Sequence, residues 1–236
     1  MLCMREIVLD TETTGTNADA GDRIVDIGCV ELVNHQPTGR TYQVYINPER
    51  QMDQEVINIH GLTNEFLADK PKFADIADEF LAFIGDNPED KLVIHNAPFD
   101  MKFLNMELKK ANRPCISFDR AIDTLVMARK KYPGSPANLD ALCKRFQVDA
   151  SRRKVHGALL DSELLVDVYL SMILDKELKF GQPTEKKEKK TIEKNVSRET
   201  LTPRKFDLSS EEIAAHEIFV GKIKNNLWEI NPPKND

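Results

Sequence analysis

Asp10 and Glu12 stand two residues apart in Leu9-Asp10-Thr11-Glu12-Thr13-Thr14-Gly15, directly after the apolar run Ile7-Val8-Leu9. In an extended strand that spacing puts both carboxylates on one face. Two acids at the end of an apolar central strand are costly to bury unless something neutralises them. Divalent metal ions do so, and magnesium or manganese prefers the hard oxygen donors that Asp and Glu offer. Two such ions a few Å apart suit phosphoryl transfer to water, one activating the attacking water and one stabilising the leaving oxygen. Taken alone, the pair reads equally as solvated acids at a strand end.

Asp100 follows a short apolar strand in His95-Asn96-Ala97-Pro98-Phe99-Asp100, where it falls in the first turn of a helix. An aspartate there also compensates the helix dipole without any further role. His156 and Asp161 come together in Val155-His156-Gly157-Ala158-Leu159-Leu160-Asp161. A histidine titrates near neutral pH and suits a general base that takes a proton from water. Gly157 leaves the backbone beside it free to bend, and Asp161 lies one turn into the next helix.

The elements that must position these groups are legible in the pattern. Strands are expected over Arg5 to Glu12, Arg23 to Asn34 and Arg40 to Asn47, where Tyr42, Val44 and Ile46 alternate at period two. Short links at Gly21-Asp22 and Asn34 to Gly39 make these three an antiparallel meander. Phe73, Ile76, Ala77, Phe80, Leu81 and Ile84 recur at helical spacing. Lys91 to His95 reads as a buried strand, and Pro98 suits the first turn of the helix after it. A short strand is expected around Ile116 to Phe118, then helices over Asp123 to Lys131, Asn138 to Phe146 and Ala158 to about Lys176. Strands followed by alternating strands and helices predict an α/β domain with a mixed sheet.

The chain has 236 residues, of which 41% are hydrophobic and 31% charged, as expected of a globular protein. No apolar run approaches the ~20 residues of a membrane span, and no apolar signal region precedes Asp10. The chain is therefore expected to be cytoplasmic and away from membranes. Cys3, Cys29, Cys115 and Cys143 lack the paired spacing of a zinc site. The net charge is −6, with 22 basic and 29 acidic residues in the first 180. A duplex-coating protein is normally basic, whereas bound cations can reverse the field of an acidic site.

Past residue 180 the composition changes. Residues 181–207 include Pro183-Thr184-Glu185-Lys186-Lys187-Glu188-Lys189-Lys190 and read as a flexible charged linker. Order is expected to return over 208–236, where Ser209 or Ser210 can cap a helix ahead of Glu211-Glu212. Ile213, Ile218, Phe219 and Ile223 could form its apolar stripe. That piece is too small to fold alone, so it is expected to dock on a partner.

Asp-x-Glu-Thr-Thr-Gly, His-Asn-Ala-x-Phe-Asp and His-x-x-x-x-Asp, in that order, resemble the signature of the DEDDh exonucleases over roughly Arg5 to Leu174. The closer resemblance is to the proofreading subunits of bacterial DNA polymerase III. It includes Val93-Ile94-His95-Asn96-Ala97, Leu139-Asp140-Ala141-Leu142-Cys143 and, in the tail, Glu211-Glu212-Ile213-Ala214-Ala215-His216-Glu217. The resemblance implies a ribonuclease H-like fold: three antiparallel strands plus parallel ones, flanked by helices, with a flexible C-terminal tail. It implies that Asp10, Glu12, Asp100 and Asp161 hold two divalent ions, Mg²⁺ or Mn²⁺, and that His156 is the general base. The product would be a nucleoside 5′-monophosphate released from a single-stranded or frayed DNA 3′ end.

Further roles follow from the same resemblance. The backbone near Thr13 and Thr14 would lie against the terminal nucleotide, which Asp10, Glu12 and Asp161 would also contact; His60 would help seat it, and Asn96 and Phe99 would orient or wedge the strand. Asp123 would be a secondary acid near the site. The tail would tether the nuclease to the polymerase (alpha) subunit through 208–236, with Leu227 and Trp228 as anchors. Asp175 to Phe180 sits where a sliding-clamp peptide would be, with Asp175 in place of the usual glutamine. The basic triplets Arg129-Lys130-Lys131 and Arg152-Arg153-Lys154 read either as phosphate attractors or as ordinary solvated charge. The other readings are a stand-alone nuclease acting on RNA ends, which has no need of the tail, and a non-catalytic adaptor, against which all five candidate catalytic residues stand.

Overall fold

A computed structural model describes residues 4–153, 155–181 and 209–220, with the side chains of 175–181, 212, 217 and 220 outside the description. The chain divides into two compact units, Met1–Glu185 and Lys186–Asp236. The first is built on five strands: β1 (Arg5–Thr13), β2 (Ile24–Val33), β3 (Gln36–Tyr45), β4 (Lys91–Ile94) and β5 (Ala121–Asp123). Their order across the sheet is β3-β2-β1-β4-β5. The β1–β2 and β2–β3 pairs are antiparallel and β1–β4 and β4–β5 are parallel, so the mixed α/β architecture expected from the pattern is present.

Helices α1 (Gln54–His60), α2 (Asn64–Leu67), α3 (Phe73–Ile84), α4 (Ala97–Lys110), α5 (Thr124–Lys131), α6 (Leu139–Phe146) and α7 (Ala158–Gly181) complete this unit. Odd-numbered residues of β1 face one layer. Ile7 and Leu9 pack with Phe73, Ile76 and Phe80 of α3 and Met101, Phe103 and Leu104 of α4. Even-numbered residues face the other, where Val8 and Val93 pack on Leu165, Val166 and Tyr169 of α7. Burying each such side chain contributes roughly 1.5–3 kcal/mol. Polar ties fix both layers. Arg23 forks onto buried Glu107 of α4 at 2.5 and 2.8 Å, and the Tyr169 hydroxyl donates to buried Glu6 at 2.5 Å.

Several boundaries differ from the sequence expectation. The link between β2 and β3 shrinks to Asn34 and His35, both at positive φ (51° and 62°), as a tight two-residue hairpin demands. β3 therefore starts at Gln36, and its Pro37 is tolerated because β3 is an edge strand. The strand expected at Ile116 to Phe118 is absent. Phe118 begins a one-turn 3₁₀ helix, Phe118–Arg120, and the strand is Ala121–Asp123. Buried Arg120 fixes that turn by donating to the carbonyls of Ile84, Gly85 and Asp90.

The helix expected to end near Lys176 runs to Gly181, so the backbone of Asp175 to Phe180 is helical. No described helix is long and apolar enough to cross a membrane. In the second unit, α8 (Ser210–Val220) follows Ser209 as expected, and its Ile213, Ile218 and Phe219 are exposed. The rest of the expected linker, 182–207, lies outside the described residues, as do Ile223, Leu227 and Trp228.

Candidate active site

The parallel neighbours β1 and β4 run side by side, β1 continuing past the end of β4 to Thr13, and the chain leaves them toward opposite edges of the sheet. Such a switch point opens a crevice at the carboxyl ends of the strands. Here it is a cleft of about 300 Å³, lined by Asp10, Glu12, Asp100, Asp161 and His156 among others. Asp10 and Glu12, on the even face of β1, meet Asp161 on α7. One ligand atom each from Glu12, His156 and Asp161 lies within 4.8 Å of the other two. Asp10 and Asp100 line the same cleft outside that cluster.

Asp100 arrives from the other layer. It sits in the first turn of α4, 3% exposed, and accepts a 2.7 Å hydrogen bond from Thr11, the odd-face residue between the two acids. The turn into α4 is made by Asn96 in the left-handed conformation (φ 68°, ψ 52°), one that Asn tolerates better than most residues. Asp161 is placed by the close approach of α7 to β2. Gly28 has no side chain to hold the helix off, the Ala158 amide donates to Asp26 at 3.1 Å, and the Ser162 hydroxyl donates to the Gly28 carbonyl at 2.9 Å. The His156 amide donates to the Ile59 carbonyl at 3.1 Å, which ties its loop to the end of α1.

Burial governs the electrostatics, with the crowding of acids second. Burial, then the charges of Asp100, Glu12 and Asp161, holds the Asp10 carboxyl well above the ordinary range. Burial, followed by Asp161 and Asp26, pushes Glu12 up to about 8. Burial pushes Asp100 up to about 7 against the hydrogen bond from Thr11. A desolvated all-oxygen donor set with more negative charge than its surroundings balance fits hard divalent cations.

The remaining expected residues fall in different settings. Phe99 is half-buried in the cleft wall against Phe103. The Asn96 side chain is exposed and is not in the cleft lining, and its backbone N–H donates to Asp123 Oδ1 at 3.3 Å. Thr13 follows a register shift in β1, and its hydroxyl donates to the Gly15 carbonyl at 2.6 Å. His60 lines a second cavity of about 340 Å³ that shares His156 with the first. Its Nδ1 accepts from the Leu62 amide at 3.0 Å, while its buried Nε2 has no protein partner. Asp123 is not in the cleft lining. Its carboxylate caps α5 by accepting from the Leu125 and Val126 amides.

Three residues at the site carried no such expectation. His95 lines the cleft and shares a 2.9 Å hydrogen bond with Thr124. Asp26 lines the second cavity with one buried, unpartnered oxygen. Arg153 turns inward. It holds both oxygens of Asp161 at 2.6 Å, contacts His156 Nδ1 at 2.9 Å and pairs with Asp140. Only the triplet Arg152-Arg153-Lys154 marked it in the sequence. Arg152 is exposed and Lys154 lies outside the described residues. The other triplet, Arg129-Lys130-Lys131, forms the last turn of α5, where cations offset the helix dipole.

A family model of RNase T-type proteins, described as "Exonuclease", matches residues 7–169. The chain is 50% identical over 215 residues to the DNA polymerase III subunit epsilon of Rickettsia felis, covering 90% of this chain and 89% of that protein. It is 43% identical over 239 residues to the subunit of the same name from Escherichia coli K12, covering 95% and 97%. Among solved structures, the nuclease domain of 3′hExo, a DEDDh family member bound to rAMP, shares the fold. Its TM-score is 0.64 at 20% identity, covering 74% of this chain and 94% of that one. The chain therefore belongs to the RNase T-type exonucleases, within the family of DNA polymerase III epsilon subunits.

Proposed function

We propose that this protein removes mispaired nucleotides from the 3′ end of nascent DNA, as the 3′→5′ exonuclease that proofreads for the replicative polymerase. The convergence of Asp10, Glu12, Asp100 and Asp161 from both helical layers onto the end of β1, with His156 at the rim, carries the reading. In this assignment the four carboxylates hold two divalent ions, Mg²⁺ or Mn²⁺. Bound there, such ions supply positive charge that favours water deprotonation and offsets charge on the departing oxygen.

The chain's own residues account for the other requirements. His156 is 46% exposed at the side chain, so its ring can take a proton from an attacking water and pass it to solvent. Phe99 offers a ring face to the terminal base, and Asn96, exposed at the start of α4, would orient the strand. The buried Nε2 of His60 is the donor for a sugar or phosphate oxygen, since Nδ1 already accepts from a backbone amide. Thr13 shapes the edge of the site through its backbone, because its hydroxyl is engaged with Gly15. The product is a nucleoside 5′-monophosphate.

The organisation of the chain fits a tethered enzyme. Residues 1–180 are assigned as the nuclease, 181–207 as the linker and 208–236 as the segment that binds the polymerase (alpha) subunit. The exposed Ile213, Ile218 and Phe219 on α8 suit burial against that partner. A tether keeps the nuclease at high local concentration near the growing end. Asp175 to Phe180 is retained as a weak sliding-clamp contact. The test is digestion of a 3′-mispaired primer with and without Mg²⁺. Metal-dependent release of mononucleotides is expected, and its absence would sink the enzyme reading.

A further inference from the structure

We infer that Arg153 is a built-in lock on the metal-free enzyme: its guanidinium occupies Asp161 and His156 until a divalent cation takes its place. The inference rests on the proposed roles of Asp161 as metal ligand and His156 as base. Its own support is the geometry of one side chain. Arg153 Nε and Nη2 donate to the two oxygens of Asp161, each at 2.6 Å. That is the fork-to-fork arrangement, the strongest pairing an arginine makes with a carboxylate. The arginine side chain is 9% exposed and that of Asp161 4%. Five acids line the cleft, Asp10, Glu12, Asp100, Asp140 and Asp161, and Arg153 is the one Lys or Arg among the described residues that lines it with them. A guanidinium there does what a metal would do, which is to neutralise desolvated carboxylates.

The same fork also silences the base. Arg153 Nη2 lies 2.9 Å from His156 Nδ1, and a guanidinium can only donate. Nδ1 is therefore the acceptor, so the neutral ring carries its proton on Nε2. With Nδ1 covered and Nε2 protonated, His156 has no free lone pair for a proton from water. Both oxygens of Asp161 already accept a short charged hydrogen bond, so a cation arriving at this carboxylate meets a guanidinium in direct contact with it. Loading the site and freeing the base are thus one event, in which Arg153 lets go. Asp140 is placed to keep hold of the released guanidinium, because Nη1 already pairs with it.

The test uses the full-length protein in two parts. In the ¹⁵N-labelled wild type without metal, Arg153 Nε–H should give a slowly exchanging resonance, assigned by its loss in Arg153→Lys. Titration with Mg²⁺ should remove that resonance and shift the His156 Nδ1 resonance with the same midpoint. An Arg153 resonance unmoved at saturating Mg²⁺ would overturn the lock, whatever the variants do.

In the second part, Mn²⁺ binding is measured by calorimetry without nucleic acid. Arg153→Gln should bind about ten-fold tighter than wild type, since no cation competes. Arg153→Lys keeps the charge but cannot fork, and should still bind several-fold tighter. Wild-type affinity in Arg153→Lys would mean simple charge repulsion and would also defeat the proposal. Failure of the metal assignment looks different: Asp161→Asn would then bind Mn²⁺ as well as wild type.

Discussion

Gly28 on β2 and Ala158 at the start of α7 approach so closely that a Cβ on Gly28 would stand 2.2 Å from the Ala158 carbonyl carbon. The register of the sheet places Gly28 directly opposite Asp10. One missing side chain thus sets how near Asp161, three residues into α7 from Ala158, can come to the acids of β1. The contact is backbone against backbone, so no side-chain rotation can relieve it.

Gly28→Ala is accordingly expected to push the start of α7 outward and loosen the acidic cluster. Stability should fall by about 1–3 kcal/mol, the ordinary cost of overpacking. Exonuclease activity should fall by roughly 10²-fold through misplacement of Asp161. Melting curves and single-strand digestion check both. Wild-type activity in a folded Gly28→Ala would show that the helix position is not critical.

The pair Arg23–Glu107 holds the other layer in register. Glu107 is 1% exposed and takes both arms of the arginine. Glu107→Ala leaves a largely buried guanidinium without its partner and should cost about 3–5 kcal/mol. Denaturant titration reads this directly. A loss under ~1 kcal/mol would mark the pair as no better than a surface ion pair.

Metal-free stability should depend on pH with a defined sign. Glu12 and Asp100 keep protons when folded up to about pH 8 and about pH 7, from ordinary values of 4.5 and 3.8. Between those limits the folded state binds more protons than the unfolded chain, so stability falls as pH rises. Below both ordinary values the difference vanishes. The melting temperature of the metal-free protein should therefore drop from about pH 5 to about pH 9, and Mg²⁺ should restore more of it at the alkaline end. Glu12→Gln should flatten the drop. A melting temperature that rises over this window in metal-free protein would contradict the electrostatic account.

Much of this was legible in the sequence for a local reason. Period two on an apolar strand places Asp10 and Glu12 on one face without any knowledge of the fold, and helical spacing places Asp161 one turn in from Ala158. What local pattern could not supply is what depends on neighbours distant in the chain. Helices α1 and α2 span 7 and 4 residues, too short for periodicity to declare them. Ile116 and Phe118 looked like a strand because both are apolar, yet Phe118 is 53% exposed and the strand is Ala121–Asp123. Asp123 reads as a secondary acid near the site, and its charge does act on Asp100, but its capping of α5 was not legible. Arg153 read either as a phosphate attractor or as solvated charge, and its inward turn depends on Asp161 and Asp140, which only the tertiary fold brings to it.

The division between nuclease and tail gives a separate expectation. Deleting Gly181 to Asp236 should leave hydrolysis of free single strands within about two-fold, because every lining residue of the cleft lies before 181. Co-purification with the polymerase subunit should be abolished. Retained association would move the docking surface onto the nuclease itself.

His156 and the carboxylates should separate in kind. His156→Ala is expected to lower kcat by about 10²-fold or more while leaving Mn²⁺ affinity nearly unchanged. Because His156 lies in the same 4.8 Å cluster as Glu12 and Asp161, calorimetry on the variant is the discriminating reading. A loss of affinity as large as that of Asp161→Asn would make the histidine a ligand instead of the base.

The most direct measurement is digestion of a 3′-mispaired primer by the full-length protein and by Asp10→Ala, each with and without Mg²⁺. Nucleoside 5′-monophosphates are expected from the wild type only when Mg²⁺ is present, and none from Asp10→Ala. Full activity in Asp10→Ala, or release by the wild type with all divalent cations chelated, would contradict that expectation.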